Sequence, residues 1–180
     1  MWRLVWHGSA VPAAAAALRE FLARTPFFGG LPADALEALS ASLVARSVPA
    51  NNAVFRQGDL GASMFVVEKG ELIVCHEGAP GEPRVKLLRL RPGDFFGEMS
   101  LIEMQPRSAS VFADEDAVVL ELTGRDLYRL YKQDVKSYVL VLQNINRELC
   151  RRLRRTSDRL VEWAREAADG TTQVNVRPMG

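Results

Sequence analysis

Between residues 44 and 122 the sequence alternates short β-prone runs with turn signals, and this alternation constrains the fold more than any other feature. Pairs such as Asn51-Asn52 and Pro92-Gly93 are typical of turns, and they separate runs that are rich in valine, leucine and phenylalanine. The predicted strands are 44–48, 53–56, 63–68, 72–76, 85–90, 95–96, 109–113 and 118–122. Short strands at such regular intervals predict two antiparallel sheets packed as a β jelly roll.

One strand pair is predicted in more detail. The run from 63 to 75 is interpreted as a hairpin with its turn at Lys69-Gly70. Because side chains on one face of a strand recur every second residue, the hairpin has a predicted buried face. Its members are Phe65, Val67, Leu72 and Val74.

Helical patterns flank the strand region on both sides. The stretches 13–23 and 32–43 precede the strands, 124–132 follows them, and a longer helix is predicted after that. We therefore expect an α+β protein with four segments. They are an N-terminal helical segment at 1–25, the β-roll domain at 26–133, a long C-terminal helix for dimerisation or as a lid at 134–169, and a flexible tail at 170–180.

Within the long helix, mostly apolar residues recur at steps of three and four. They are Tyr138, Leu142, Ile145, Leu149, Leu153, Thr156, Leu160 and Trp163. This spacing predicts a coiled-coil seam and a parallel homodimer along it, the alternative being a helix that lies on its own domain. The flanking arginines are interpreted as a solvated face paired with acidic residues, rather than as a surface for nucleic acid or membrane.

Composition narrows the class of protein. A formal net charge of +1 over 180 residues provides no general attraction to nucleic acid or to an anionic membrane. No run approaches the roughly 18–20 apolar residues of a membrane span. The two cysteines, Cys75 and Cys150, are interpreted as reduced thiols of a cytoplasmic protein. With only His7 and His76 available, no metal site is expected.

Residues 96–111, FGEMSLIEMQPRSASV, combine groups that can bind one small anion. Gly97 allows a sharp turn and a close approach of ligand, and a helical turn at 99–102 would direct free N–H groups toward it. Arg107 offers a planar fork for two phosphate oxygens, and Ser108 adds a hydroxyl. Ionised Glu98 only accepts hydrogen bonds, so it suits a sugar hydroxyl. These groups describe a nucleotide whose phosphate lies close to its ribose. The alternative for Arg107 is a salt bridge to Glu98 that organises the loop.

This segment resembles the phosphate-binding cassette of the cyclic nucleotide-binding domain family along its whole length. The resemblance implies that Gly97 and Glu98 hold the ribose 2′-hydroxyl. It also implies that Arg107 and Ser108 hold the cyclic phosphate. Backbone amides near Ser100 assist, and Met99 and Ala109 complete the expected ligand-binding set.

A looser resemblance to the same family extends over about residues 26 to 165. Gly58, Gly61 and Gly70 stand where the family has turn glycines. Residues 151–157, RRLRRTS, resemble the long helix of catabolite-activator-type receptors, in which a Thr-Ser pair, one residue from each subunit, reads adenine. For Thr156 and Ser157 this implies a contact with the base and favours cAMP. The alternative is that Thr156 fixes the register of the seam, and Ser108 keeps cGMP open because cGMP-selective members also have a hydroxyl there.

The resemblance implies a stand-alone cAMP receptor module that signals to an unidentified protein partner through its C-terminal helix. Roughly a dozen residues follow that helix, so we expect no helix-turn-helix DNA-binding domain. A nucleophile–base pair is not evident, and no enzymatic activity is expected. Two alternatives remain. One is a structural or adaptor dimer with a degenerate nucleotide site, and the other is a receptor for a cyclic dinucleotide.

Overall fold

A computed structural model of the protein describes residues 12–79 and 82–174. Its elements, in chain order, are α1 (Pro12–Arg24), α2 (Ala33–Ser42), β1 (Val44–Val48), β2 (Ala53–Phe55), β3 (Ser63–Lys69), β4 (Leu72–His76), β5 (Val85–Leu90), β6 (Phe95–Phe96), α3 (Glu98–Glu103), β7 (Ser110–Ala113), β8 (Ala117–Thr123), α4 (Gly124–Gln133) and α5 (Val135–Val174). A 3₁₀ turn at Pro26–Phe28 lies between α1 and α2. The chain divides into two compact units, Met1–Leu142 and Gln143–Gly180, so α5 begins in the first and continues in the second.

The described strands form two four-stranded sheets with antiparallel pairing throughout. The strand order is β1-β8-β3-β6 in the first sheet and β2-β7-β4-β5 in the second. Strands that are distant in sequence, such as β1 with β8 and β2 with β7, are therefore neighbours. The predicted α+β jelly roll is confirmed, and the limits of each predicted strand lie within one residue of the observed ones.

The hydrophobic core lies between the two sheets. Phe65 and Val67 of β3, Leu72 of β4 and Val111 of β7 belong to one buried cluster. Three of these residues are members of the buried face predicted for the hairpin. The fourth predicted member, Val74, is partly buried and packs against the same cluster.

The strand β3 is buried on its other face as well, which the hairpin prediction did not include. Met64 and Val66, which alternate with the core residues, are completely buried. The helical elements cover this face of the first sheet. The ring of Phe27 in the 3₁₀ turn lies 5.3 Å from the ring of Phe95 in β6, and α3 and α4 pack on β3 and β8. A strand between a second sheet and a layer of helices has no solvent-facing side.

Side-chain hydrogen bonds define the starts of the last two helices. Thr123 and Asp126 form a capping box at the first turn of α4. Asp134 ends α4 and then caps α5, since its carboxylate accepts the backbone N–H of Lys136 at 3.0 Å and that of Ser137 at 3.2 Å. The hydroxyl of Ser137 donates to the same carboxylate and holds the pKa of Asp134 below its ordinary value.

The helix α5 extends to Val174, beyond the end expected at 169 and into the expected tail. Gly170 does not stop it, because glycine in a helix interior costs only about 1 kcal/mol relative to alanine. The remainder of the expected tail, 175–180, and the beginning of the N-terminal segment, 1–11, lie outside the described residues. Within the described ranges, none of the helices combines the length and the apolar character that a membrane crossing requires.

Candidate functional site

The expected ligand-binding segment folds as a turn, a short helix and a return loop. Gly97 follows β6 with a φ of 79°, in the left-handed region that glycine adopts readily. Glu98 begins α3, with Met99 and Ser100 in the same first turn. The free N–H groups of this turn point back toward Gly97. The helical turn expected at 99–102 therefore lies within α3, and Arg107 follows it before the chain enters β7.

Burial divides the predicted site residues into two groups. Glu98, Ser100 and Arg107 are buried, and only 5% of Arg107 is exposed. Ser108 is exposed, with its hydroxyl 3.7 Å from Sδ of Met99. The structure thus brings residues 97–100 into contact with residues 107–109. We call these seven residues, which include Gly97 and the half-buried Ala109, the cassette.

Both the side chain and the backbone of Arg107 are anchored. Its Nη1 donates a hydrogen bond to the carbonyl oxygen of Gly97 at 2.8 Å, and its Nη2 lies 3.4 Å from Oγ of Ser63. Its backbone N–H donates to the carbonyl of Asp59 at 2.9 Å, and its carbonyl accepts from the N–H of Gly58 at 2.9 Å. These bonds connect the return loop to the segment that leads into β3.

The guanidinium of Arg107 carries its charge in a largely desolvated place. Burial lowers the pKa of Arg107, whereas the carboxylates of Glu121, Asp59 and Glu98 act in the opposite direction. The group nevertheless stays protonated, since the ordinary pKa of arginine lies far above neutrality. Glu98 is the last of these three carboxylates in size of effect, and a salt bridge between Glu98 and Arg107 that organises the loop stays a prediction. A buried cation beside the free N–H groups of α3 can bind an anion strongly.

Sequence reasoning missed two residues that contact this guanidinium. The first is Phe55, whose ring centroid lies 4.1 Å from Cζ of Arg107.

The second is Gly61. Gly58 and Gly70 have φ values of +87° and +81°, as expected for turn glycines, but Gly61 is not in the left-handed region. A Cβ built on Gly61 would instead lie 2.6 Å from Nε and Nη2 of Arg107. Nothing in a local pattern indicates which distant side chain uses the space above a glycine.

The two remaining predicted site residues, Thr156 and Ser157, lie in α5 within the second compact unit. Both are exposed. The hydroxyl of Thr156 donates to the carbonyl of Arg152 at 3.0 Å, and that of Ser157 donates to the carbonyl of Leu153 at 3.0 Å. In a single chain, therefore, each hydroxyl is satisfied by its own helix. Their contact with a base stays a prediction.

An antiparallel jelly roll that holds a buried arginine beside the start of a helix is a ligand-binding domain suited to a small anion. The sequence model of the family described as "Cyclic nucleotide-binding domain" matches residues 45–134, which is half of the chain. This chain therefore belongs to the cyclic nucleotide-binding domain family. The match spans both sheets together with α3 and α4.

Relatives with this similarity occur in proteins of several kinds. The cyclic AMP receptor protein of Thermus thermophilus is 35% identical over 130 residues, which are 72% of this chain and 58% of that protein. The cAMP-dependent protein kinase regulatory subunit of Aspergillus niger is 30% identical over 109 residues, which are 61% of this chain and 25% of that protein. The chain spans 58–62% of the length of the first curated relatives that it matches.

Solved structures support the same assignment of the fold. The catabolite activator protein of Thermus thermophilus superposes with a TM-score of 0.66 at 34% identity, covering 77% of this chain and 63% of that one. A cyclic nucleotide-binding domain from Methylobacillus flagellatus superposes with a TM-score of 0.72 and covers 83% of this chain and 84% of that one. Its identity of 24% makes it evidence for the fold alone.

Proposed function

We propose that this chain is a receptor module for a cyclic nucleotide, with cAMP as its ligand, and that it signals to a protein partner through α5. The observation that carries this proposal is the buried, charged guanidinium of Arg107, hydrogen-bonded to the Gly97 carbonyl beside the first turn of α3. A fixed planar cation next to free backbone N–H groups suits a phosphate diester.

In this proposal each end of the cassette takes one part of the ligand. Arg107, Ser108 and the N–H groups near Ser100 bind the cyclic phosphate. Glu98 accepts a hydrogen bond from the ribose 2′-hydroxyl beside Gly97. The exposed Met99 and the half-buried Ala109 supply the apolar contacts of the set.

The base is read by α5 in a homodimer, with Thr156 from one subunit and Ser157 from the other. The dimer is supported by a row of seam residues, since Leu153, Leu160 and Trp163 are 67%, 59% and 67% exposed in the single chain. Burying such side chains against a second copy is favourable. This arrangement favours cAMP, and the hydroxyl of Ser108 makes cGMP the second candidate.

The module acts by binding and not by catalysis. A ligand can redirect α5 only if it binds one arrangement of the helix better than another, and the difference in affinity sets the size of the response. We place the module in the cytoplasm. The free thiols of Cys75 and Cys150 agree with a reducing compartment.

One observation favours a cyclic dinucleotide as an alternative ligand. A ligand with two phosphates needs cations besides Arg107, and Arg151, Arg154 and Arg155 of α5 are exposed. An adaptor dimer without a functional nucleotide site is the remaining alternative.

Isothermal titration of the purified protein with cAMP, cGMP and a cyclic dinucleotide separates these functions. We expect cAMP to bind with micromolar or tighter affinity at one site per chain, and cGMP to bind more weakly. Preferential binding of the dinucleotide would replace the proposed ligand. Absence of heat with all three ligands would contradict the receptor function and favour the adaptor.

A further inference from the structure

The guanidinium of Arg107 lies against an aromatic ring on the strand β2, outside the cassette. The ring centroid of Phe55 is 4.1 Å from Cζ of Arg107, and that of Phe65 is 5.7 Å away. Phe55 is itself held in place, since its ring lies 5.8 Å from each of the rings of Phe65 and Phe96. A guanidinium over an aromatic face is attracted by the ring quadrupole, and the attraction increases when water is excluded.

Gly61 provides the space that the same guanidinium occupies. A Cβ on Gly61 would lie 2.6 Å from Nε, 2.6 Å from Nη2 and 2.7 Å from Cζ of Arg107. Because Cζ is almost as close as the two nitrogens, the Cβ would lie obliquely above the edge formed by Nε and Nη2, in space that the guanidinium needs. The backbone of Gly61 does not need glycine for its conformation, since its φ is not in the left-handed region. The reason for glycine here is the arginine.

We propose that Phe55 and Gly61 are positioning residues, which hold the guanidinium of Arg107 flat before any ligand arrives. The ring of Phe55 supports the guanidinium, and Gly61 leaves it room. The bond from Nη1 to the Gly97 carbonyl fixes its rotation. The guanidinium is then presented edge-on, as bidentate binding of an anion requires. This inference rests on the proposed function only for the identity of that anion.

Substitutions of Phe55 and Gly61 are expected to lower the affinity for cAMP by different amounts. Phe55→Leu keeps an apolar side chain but removes the quadrupole, so we expect about fivefold weaker cAMP binding. Gly61→Ala places a methyl group where the guanidinium lies. Since the atoms it meets are the far end of a flexible side chain, the fold persists while Arg107 is displaced. We expect at least about a tenfold loss of affinity.

The first experiment uses the ligand-free protein and therefore does not depend on the proposed function. In a ¹⁵N-labelled sample, Arg107→Lys identifies the Nε–Hε signal of Arg107 by its disappearance. We expect this signal to be shifted upfield by the ring of Phe55 and to lose that shift in Phe55→Leu and in Gly61→Ala. Phe112→Leu is the matched control, because Phe112 lies under Arg84 at the same distance of 4.1 Å. An unshifted signal in the parent protein would overturn the proposal.

The second experiment separates positioning from a general effect on the fold. Calorimetric affinities for cAMP are measured for the parent protein, Phe55→Leu, Arg107→Lys and the double variant. If Phe55 acts through the planar guanidinium, Phe55→Leu weakens binding in the parent and has little further effect beside lysine, which has no planar face. An equal loss in both backgrounds would assign Phe55 a purely structural role and overturn the proposal. If the parent protein binds no nucleotide, the proposed function fails, and the ligand-free spectra still decide whether the guanidinium is held.

Discussion

The cassette and the exposed part of the predicted seam, from Leu153 onward in α5, satisfy their polar groups in opposite ways. In the cassette, Arg107 is bonded to the carbonyl of Gly97 and, through its backbone, to the segment before β3. On α5, Thr156 and Ser157 are bonded only to carbonyls of their own helix, and the apolar neighbours Leu153 and Leu160 are exposed. In the proposed site, the phosphate end is therefore organised within one chain. The base end depends on the second subunit of the proposed homodimer.

The largest effect is expected for the association of two chains. Replacing Leu160 by glutamate puts a charge into the proposed seam twice, once per subunit. Burial of one leucine contributes about 1.5–3 kcal/mol, so we expect at least about a hundredfold weaker dimerisation. Val161→Glu is the matched control, since Val161 is also exposed but lies off the seam. Light scattering across a concentration series measures the dimerisation of the parent protein and of both variants. A parent protein that stays monomeric, or equal effects of the two variants, would contradict the seam.

The next effect concerns the phosphate end alone. Arg107→Ala removes charge-assisted hydrogen bonds worth about 1.5–3 kcal/mol, so we expect cyclic nucleotide binding to weaken at least tenfold. The fold should persist, because the backbone bonds of residue 107 to Asp59 and Gly58 do not depend on its side chain. Arg91→Ala is the control, an exposed arginine paired with Glu71. Calorimetry that found unchanged affinity in Arg107→Ala would remove Arg107 from the site.

A comparison of two glycines separates the stability cost of backbone strain from an effect on nucleotide binding. Gly97 and Gly93 both have left-handed backbones, with φ of 79° and 92°. A Cβ on Gly97 would lie 2.7 Å from Nη1 of Arg107, whereas one on Gly93 would meet nothing within 4 Å. Alanine at either position should cost about 1–2 kcal/mol of stability. Only Gly97→Ala should also weaken nucleotide binding, by several-fold. Denaturation and calorimetry on both variants provide the comparison, and equal affinities would show that this glycine is needed only for the turn.

The parts of this molecule that could be predicted from sequence are those whose signals are local. The strand limits follow from β-prone runs and turn residues, and all seven residues of the cassette lie within the short stretch 97–109. Burial of both faces of β3 was not predictable, because Met64 and Val66 are covered by elements from elsewhere in the chain. The contacts of Arg107 with Phe55 and Gly61 were missed for the same reason. Both the burial of these strand residues and the contacts of Arg107 depend on how distant segments of the chain pair.

The smallest effect is expected on α5, at the proposed contact with the base. Changing Thr156 and Ser157 to alanine together should narrow any preference for cAMP over cGMP, while binding of the common ribose and phosphate changes little. Stability should also change little, because both side chains are exposed and each hydroxyl bonds only to its own helix. Ser40→Ala is the control, since Ser40 is a helical serine whose hydroxyl donates to the carbonyl of Glu37. The measured quantity is the ratio of the two dissociation constants. If that ratio stays constant, the base contact lies elsewhere, and Thr156 is left with the register of the seam as its role.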